Sequence, residues 1–208
     1  MPRSSSHDPI RDFKFDVTIS PPASLKQAMG ITGDLNLGFA VVSGLTVTND
    51  VVSYREGGMN THPHKLLGQS DYGAITFSRG VFLGPNQDAL YKWQQYLHTW
   101  STGALNALSG TSNSGSNDYR CNVYVRVLDH PASGATYVVD PVEATQQTVN
   151  LPSMRLGFAL YNCWPGAFAM TDLNASSSGI LVQQMTLHHE GFVIVNNESD
   201  FDKLSQLN

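Results

Sequence analysis

The run Val51–Gly80, VVSYREGGMNTHPHKLLGQSDYGAITFSRG, constrains this chain more than any other part of it. It opens with β-branched and aromatic residues that suit a pleated strand. It breaks at Gly57-Gly58, where two residues without a Cβ can hinge an extended loop. A polar stretch rich in turn residues follows, including a turn at Lys65-Leu66-Leu67-Gly68, and a short strand resumes at Ala74–Ser78.

The rest of the sequence reads in the same β idiom. Phe13, Phe15, Val17 and Ile19 alternate with Lys14, Asp16 and Thr18, the period of a strand with one buried face, and Pro21-Pro22 ends it. Residues 23–34 form a linker or a short helix (ASLKQAM) closed by Gly30 and Gly33. Leu37–Ser43 and Leu45–Tyr54 predict two strands around the break at Ser43-Gly44. Cys121, Val123, Val125 and Val127 alternate with Asn122, Tyr124 and Arg126 in another, and Met154–Trp164, Ile180–His189 and Phe192–Val195 complete the set. One helix stands out at about 87–101. Gly84-Pro85-Asn86 sets up its start, Asn86 can cap free amides, and Asp88 sits in the positive first turn. Leu90, Trp93, Leu97 and Trp100 then form a packing stripe at i, i+3, i+7 and i+10. Strands without intervening helices, plus one helix, predict a mainly β chain: an antiparallel β-sandwich or barrel-like subunit with one flanking α-helix. Around this β domain, 12–195, residues 1–11 read as a flexible polar arm and 196–208 as a polar tail. Gly110–Asp118, GTSNSGSND, reads as a loop, and His130–Pro152 as an insertion holding a hairpin arm around Ala135–Val139.

At 208 residues the chain suits one domain, which should bury roughly 70% of its unfolded surface without a metal or disulfide staple. Only 14% of residues are charged against 41% hydrophobic, so the surface is rich in uncharged polar groups or hidden in an assembly. Twelve Lys+Arg against 17 Asp+Glu give a net charge of −5 with no basic run. Tight nucleic-acid binding by counterion release needs clustered cations and is excluded by that pattern, whereas passage of DNA or protein cargo is not. Cys121 and Cys163 lie in apolar strand runs, where a cysteine acts as a small buried hydrophobe, and the sequence leaves their redox state open. The first residues lack the apolar core of a signal peptide, and no run approaches 18 consecutive apolar residues.

Two constellations invite chemistry. His62-x-His64 puts two imidazoles on one side of an extended segment, a spacing some metal sites use, but no third ligand is near in sequence. Cys163 with His188, His189 and Glu190 resembles a thiol, base and orienter, yet nothing local builds a strained nucleophile turn or an oxyanion hole. Phosphate-cradling and nucleophile-elbow motifs are absent. The expectation is a non-enzyme with no metal and no cofactor. Arg55 and Glu56 are adjacent, face opposite sides of a strand, and are expected to pair with charges on neighbouring subunits.

Tyr54-Arg55-Glu56-Gly57-Gly58, Lys65-Leu66-Leu67-Gly68 and Ile75-Thr76-Phe77-Ser78-Arg79-Gly80 together resemble a segment of the contractile tail tube proteins of phages and phage-like injection systems. Three more places match that family: Val42-Ser43-Gly44-Leu45, Asn162-Cys163-Trp164-Pro165, and Asp172-Leu173-Asn174-Ala175 followed by Leu187-His188-His189-Glu190-Gly191-Phe192. The matches run in order from Phe13 to Val195. The chain is longer than a minimal tube subunit, with extra residues at about 20–34, 103–118 and 129–152, and Met59–Lys65 replaces the usual threonine-lysine patch.

The resemblance implies a subunit that closes into hexameric rings around a β-barrel channel, stacked as the inner tube of a contractile tail or injection system. Implied partners are the chain itself, a contractile sheath, baseplate and tube-terminator proteins, and cargo DNA or effector protein in transit, with no membrane insertion by the monomer. The implied location is a virion tail or injection particle assembled in the bacterial cytoplasm. Tyr54, Arg55, Glu56, Gly57, Gly58, His62, His64 and Lys65 are the expected contacts between subunits or rings. Asn122, Tyr124 and Arg126, with Gln184, Thr186 and His188, are the expected lumen-facing polar residues. The alternative is a specialised terminal or baseplate ring, or a secreted ring-forming tube protein of a secretion system.

Overall fold

The computed structural model describes residues 10, 12–58, 61–82, 84, 86–101, 118–131, 136–140, 145–148, 152–176 and 178–205. The expected N-terminal arm, apart from Ile10, and the Gly110–Asp118 loop, apart from Asp118, lie outside them.

One strand organises the rest. β10 (Pro152–Met170) is long enough to serve two sheets in turn. Its first part pairs antiparallel with β7 (Cys121–Pro131) on one edge and, through Gly157–Tyr161, with β12 (Gly191–Val195) on the other. β7 in turn pairs with β1 (Phe15–Ser20), and β1 with the short edge strand β2 (Leu35–Leu37). Past a register shift between Leu160 and Cys163, where Asn162 adopts φ 53, β10 continues as the partner of β11 (Val182–His188). β11 pairs with β6 (Ile75–Gly80), and β6 with β3 (Val41–Ser43). Asn122 Oδ1 accepts the Asn162 N–H at 3.1 Å and holds the bend.

The two sheet halves close on one core. Val17, Ile19, Val123, Val125, Leu160 and Cys163 from the first half meet Ile75, Phe77, Met185 and Leu187 from the second. Two helices cover the opening. α1 (Ala23–Met29) buries Leu25 and Met29 and ends at Gly30, whose φ of 73 lets its N–H reach back to Gln27 O while Ile31 N–H reaches Lys26 O. α2 (Ala89–Ser101) buries Leu90 and Trp93 on the expected stripe, and Trp93 Nε1–H donates to Tyr119 O at 3.0 Å. The side chain of Trp100 lies outside the described residues. α2 starts later than the sequence suggests. Asn86 sits in the left-handed region at φ 61, outside the extended backbone of an N-cap, and Asp88 precedes the helix and pairs with Lys92 at 2.8 Å.

Three helices are present among the described residues: α1 takes the short-helix option read for ASLKQAM, α2 is the expected flanking helix, and the third was not expected. The expected polar tail carries α3 (Glu198–Ser205), which packs on β10 and β12. Its apolar content is two residues, Phe201 and Leu204, too short a stripe to register as a periodic pattern. Phe201 is nonetheless 3% exposed, seated in a second cluster with Tyr124, Met154, Ala159 and Val195. Gly157 makes the seat: a Cβ there would lie 2.5 Å from the Phe201 ring. The Tyr124 hydroxyl donates to Leu204 O at 3.0 Å. Two further hairpins complete the chain: β8 (Thr136–Asp140) with β9 (Thr145–Thr148), falling where a hairpin arm was expected, and β4 (Val47–Tyr54) with β5 (His64–Tyr72).

Truncating Phe201→Ala should cost about 3 kcal/mol in chemical denaturation, the scale of an emptied aromatic core site. Gly157→Ala should be costly in the natural background and much cheaper beside Phe201→Ala, a coupling that a double-mutant cycle measures directly.

Candidate assembly surface

The β4–β5 ribbon stands apart from the body. Every residue of β4 is exposed, and on β5 only His64 and Gly68 are partly covered. Alternation places Val51 and Leu67, which are register partners, on one face and Val52 and Leu66, also partners, on the other. All four are exposed, Leu67 to 79%. An isolated two-stranded ribbon is marginal in water, and exposed apolar pairs on both faces are a feature of interaction surfaces in general.

β5 also corrects the expectation of a turn at Lys65-Leu66-Leu67-Gly68. These residues lie inside a strand. The glycine answers the opposite strand: the register shifts between Asn49 and Val51, and a Cβ on Gly68 would lie 2.8 Å from Asp50 O. The extra residue is on β5, where Gly68 and Gln69 lie opposite the single Asp50, so the bulged strand itself needs a bare backbone at Gly68.

The ribbon's tip holds most of the expected contact residues. Tyr54 stacks on His64 with ring centroids 5.5 Å apart, and its hydroxyl donates to Glu56 Oε1. That hydrogen bond, with a smaller contribution from burial, pushes the phenol above its ordinary value. Glu56 is therefore engaged within its own ribbon, while Arg55 is exposed with no ion pair among the described residues. Gly58 takes φ 95, as a hinge glycine would, and Gly57 beside it is exposed. His62 and His64 lie 5.8 Å apart between centroids, and Lys65 is exposed opposite Ser53. No group of three or more His, Cys, Asp or Glu gathers anywhere among the described residues.

The ribbon's root brings together motifs that are far apart in sequence. Gly44, at φ 98, passes so close to the returning chain that a Cβ would lie 2.4 Å from Ala74 O, and one on Gly73 would lie 2.2 Å from Thr46 Oγ1. His189 is buried at this crossing, with Nε2 3.0 Å from Gly73 O, and its ring packs against Tyr72 and Phe192. The adjacent Glu190 accepts from Arg120 Nη1 at 2.7 Å and Asn162 Nδ2 at 2.6 Å, tying the root to the bend of β10. Of this root, the sequence showed the strand break at Ser43-Gly44. The anchoring role of His189 had no sequence signal, because Gly73 O is supplied by the backbone.

The expected lumen residues divide. Gln184 and His188 are exposed, Thr186 is half-buried and lies 3.3 Å from Thr76 through their hydroxyls, and His188 stacks on Trp164. All three alternate with the core residues Gln183, Met185 and Leu187 on β11. Arg126 is engaged by Asp16 through Nε and Nη2 at 3.1 and 2.7 Å, and Asn122 by the β10 bend. Tyr124 leaves this set: α3 covers it, so it lines no open surface of the subunit.

The thiol constellation does not assemble. Cys163 faces the core as the register partner of Cys121, both are free, and burial pushes Cys163 up to about 12 and Cys121 well up as well. His188 is occupied with Trp164, His189 with Gly73 and Glu190 with Arg120. Neither thiol should react with Ellman's reagent at pH 8 in the folded protein, and both should react in denaturant. His189→Ala should raise amide hydrogen exchange in 47–54 and 64–73 while leaving β7 and β10 protected, as mass spectrometry of the exchanged peptides would report.

The chain shares its fold with chains in several solved assemblies. A chain in the anti-feeding prophage (AFP) baseplate superposes with a TM-score of 0.62 at 19% identity, covering 92% of this chain and 98% of that one. One in the sheath–tube complex of the PVC extracellular contractile injection system gives 0.60 at 20%, covering 94% and 100%. One in the AFP tube-terminating cap gives 0.59 at 21%, covering 94% and 97%. No curated protein matches the sequence. The T4-like virus tail tube protein gp19 family matches residues 11–193, nearly the whole chain, and the protein belongs to that family.

Proposed function

We propose that this chain is the structural subunit of an inner tail tube, closing into hexameric rings that stack into a hollow conduit for DNA or protein cargo. The observation that carries the reading is the β4–β5 ribbon, with Val51–Leu67 on one face and Val52–Leu66 on the other, all uncovered by the subunit itself. A ligand-binding loop would present one apolar face; a ribbon that slots between neighbours presents two. The surrounding sheath, the baseplate and a tube terminator are the partners of such a tube, and its work is mechanical. The exposed tip residues Arg55, His62 and Lys65 supply polar contacts to an adjacent ring, and Gln184, Thr186 and His188 a polar, non-adhesive bore.

A terminal ring is the second reading, because the fold is shared with chains of a baseplate and of a tube-terminating cap as well as of a sheath–tube complex. Negative-stain electron microscopy of the purified protein separates the two. Stacked hollow tubes with sixfold end views are expected; single rings that never stack would favour the terminal ring, and monomers that remain so when seeded with tail ends would reject both. Val51→Asp and Val52→Asp should each leave the monomer's stability within about 0.5 kcal/mol, as exposed substitutions do, while abolishing tubes. Tubes unchanged by either variant would show that its face is free in the assembly.

A further inference from the structure

The two faces of the β4–β5 ribbon match in apolar content and differ in charge. Register and alternation put Val51, Ser53, Leu67 and Lys65 on one face, and Arg55 continues that row just past the end of β4. The other face carries Val52 with its partner Leu66, Asp71 opposite Thr48, and Tyr54 opposite His64, with Asp50 between Thr48 and Val52 in the same row. Glu56 belongs to this second face, because its Oε1 accepts from the Tyr54 hydroxyl. The first face is therefore basic, with Lys65 and Arg55 and no carboxylate. The second is acidic, with Asp50, Asp71 and Glu56 and no lysine or arginine. All five charged residues are exposed, and none has an ion-pair partner among the described residues.

The apolar pairs Val51–Leu67 and Val52–Leu66 sit back to back, at almost the same height along the ribbon. One ribbon laid on another in the same direction, at the roughly 10 Å of packed sheets, therefore sets apolar pair against apolar pair. Nearer the tip, Lys65 and Arg55 of one copy then meet the side of the next that holds Glu56, whose second oxygen is not used by Tyr54. Like faces cannot meet in this way. Two basic faces, or two acidic ones, would oppose unpaired charges of one sign across the same contact, and such juxtaposition is strongly unfavourable. A contact between unlike faces is heterologous. It leaves one face open for a third copy and propagates until a ring closes, where a two-fold contact would stop at a dimer.

We propose that the basic face of the ribbon, Val51–Leu67 with Lys65 and Arg55, docks on the acidic face, Val52–Leu66 with Asp50 and Glu56, of the ribbon of a second copy of this chain. Each ribbon is then covered on both sides by the ribbons of two neighbours, and the sign of the charge fixes the head-to-tail order. The proposal rests on the self-assembly reading above.

Charge reversal tests the pairing. Lys65→Glu and Glu56→Lys should each require about tenfold more protein to form tubes, read by sedimentation and electron microscopy. The chain carrying both should return to within about threefold of the natural protein, because the two faces are again opposite in sign. Loss of a merely structural hydrogen bond at Glu56 would not be rescued by a change at Lys65. A chain with Leu66→Cys and Leu67→Cys, treated with a bis-maleimide that reaches about 10 Å, should give a ladder of cross-linked chains from its tubes. Leu67→Cys alone should give none. Cys121 and Cys163 are buried and stay out of the reaction. Natural protein that forms tubes while Lys65→Glu assembles equally well, or a double reversal no better than the single ones, would overturn the ribbon contact alone. So would tubes of the double-cysteine chain that give no ladder, or cross-linked dimers from Leu67→Cys by itself. Natural protein that stays monomeric even when seeded would overturn the self-assembly reading and the ribbon contact with it.

Discussion

The bend in β10 is the constraint on which the rest of the subunit depends. A strand of ordinary length belongs to one sheet, but this one shifts register at Leu160–Cys163 and again at Pro165–Ala167, so one backbone carries the hydrogen bonding of both halves. The core lies between the halves because the strand turns there, and Cys163, the first core residue past the bend, is fully buried among both sets of strands. Asn162 suits the bend chemically, since asparagine tolerates the left-handed backbone better than most residues. Its side chain then extends the constraint outward through Glu190 to Arg120. Because Glu190 neighbours His189, and His189 meets Gly73, the position of the ribbon is referred back to the same bend.

This chain of contacts explains how dispersed motifs come to serve one feature. Ser43-Gly44, Gly73, Asn162 and His189-Glu190-Gly191 are far apart in sequence, and each lies at the ribbon's root or one hydrogen bond from it. Gly191 also sits against the Tyr72 ring, so the aromatic cluster of Tyr72, His189 and Phe192 packs over a surface with no side chain. A contact element that must reach a neighbour gains from a rigid root, because freedom lost on docking counts against affinity. The glycines provide close approach, and the buried imidazole provides a fixed hydrogen bond.

What the sequence disclosed and what it hid follow from the range of the interactions. Alternation over Phe13–Ile19 and Cys121–Val127 marked β1 and β7 because burial on one face is written residue by residue. The stripe of α2 was legible for the same reason. β5 was hidden: HKLLGQSDY has no alternation, since neither of its faces is buried in the subunit, and its strand character comes only from pairing with β4. α3 was hidden because its stability comes from one phenylalanine inserted above Gly157, a distant residue. Tyr124 was assigned to an open face by a correct alternation, and the element that covers it could not be foreseen. Within the candidate surface, the tip was readable as a family resemblance, but the His189 anchor depends on what surrounds it in three dimensions.

A ribbon with two apolar faces and two free edges invites indiscriminate pairing, and its own irregularities work against that. Flat, regular edges template unwanted strand addition, whereas bulges and charges discourage it. The bulge at Gly68-Gln69 breaks the regular spacing of backbone groups along β5, and the bare backbone of Gly68 lets the two strands close tightly against Asp50. Asp50, Asp71 and Lys65 put charge along both strands, so a second ribbon pairing edge to edge would have to bury or oppose them. The sheet ends in the body follow the same logic, with β2 and β3 each only three residues long. The apolar faces are left as the attractive surface. In the proposed assembly, association is thereby steered from backbone pairing, which any extended chain can satisfy, towards side-chain packing, which demands a complementary neighbour.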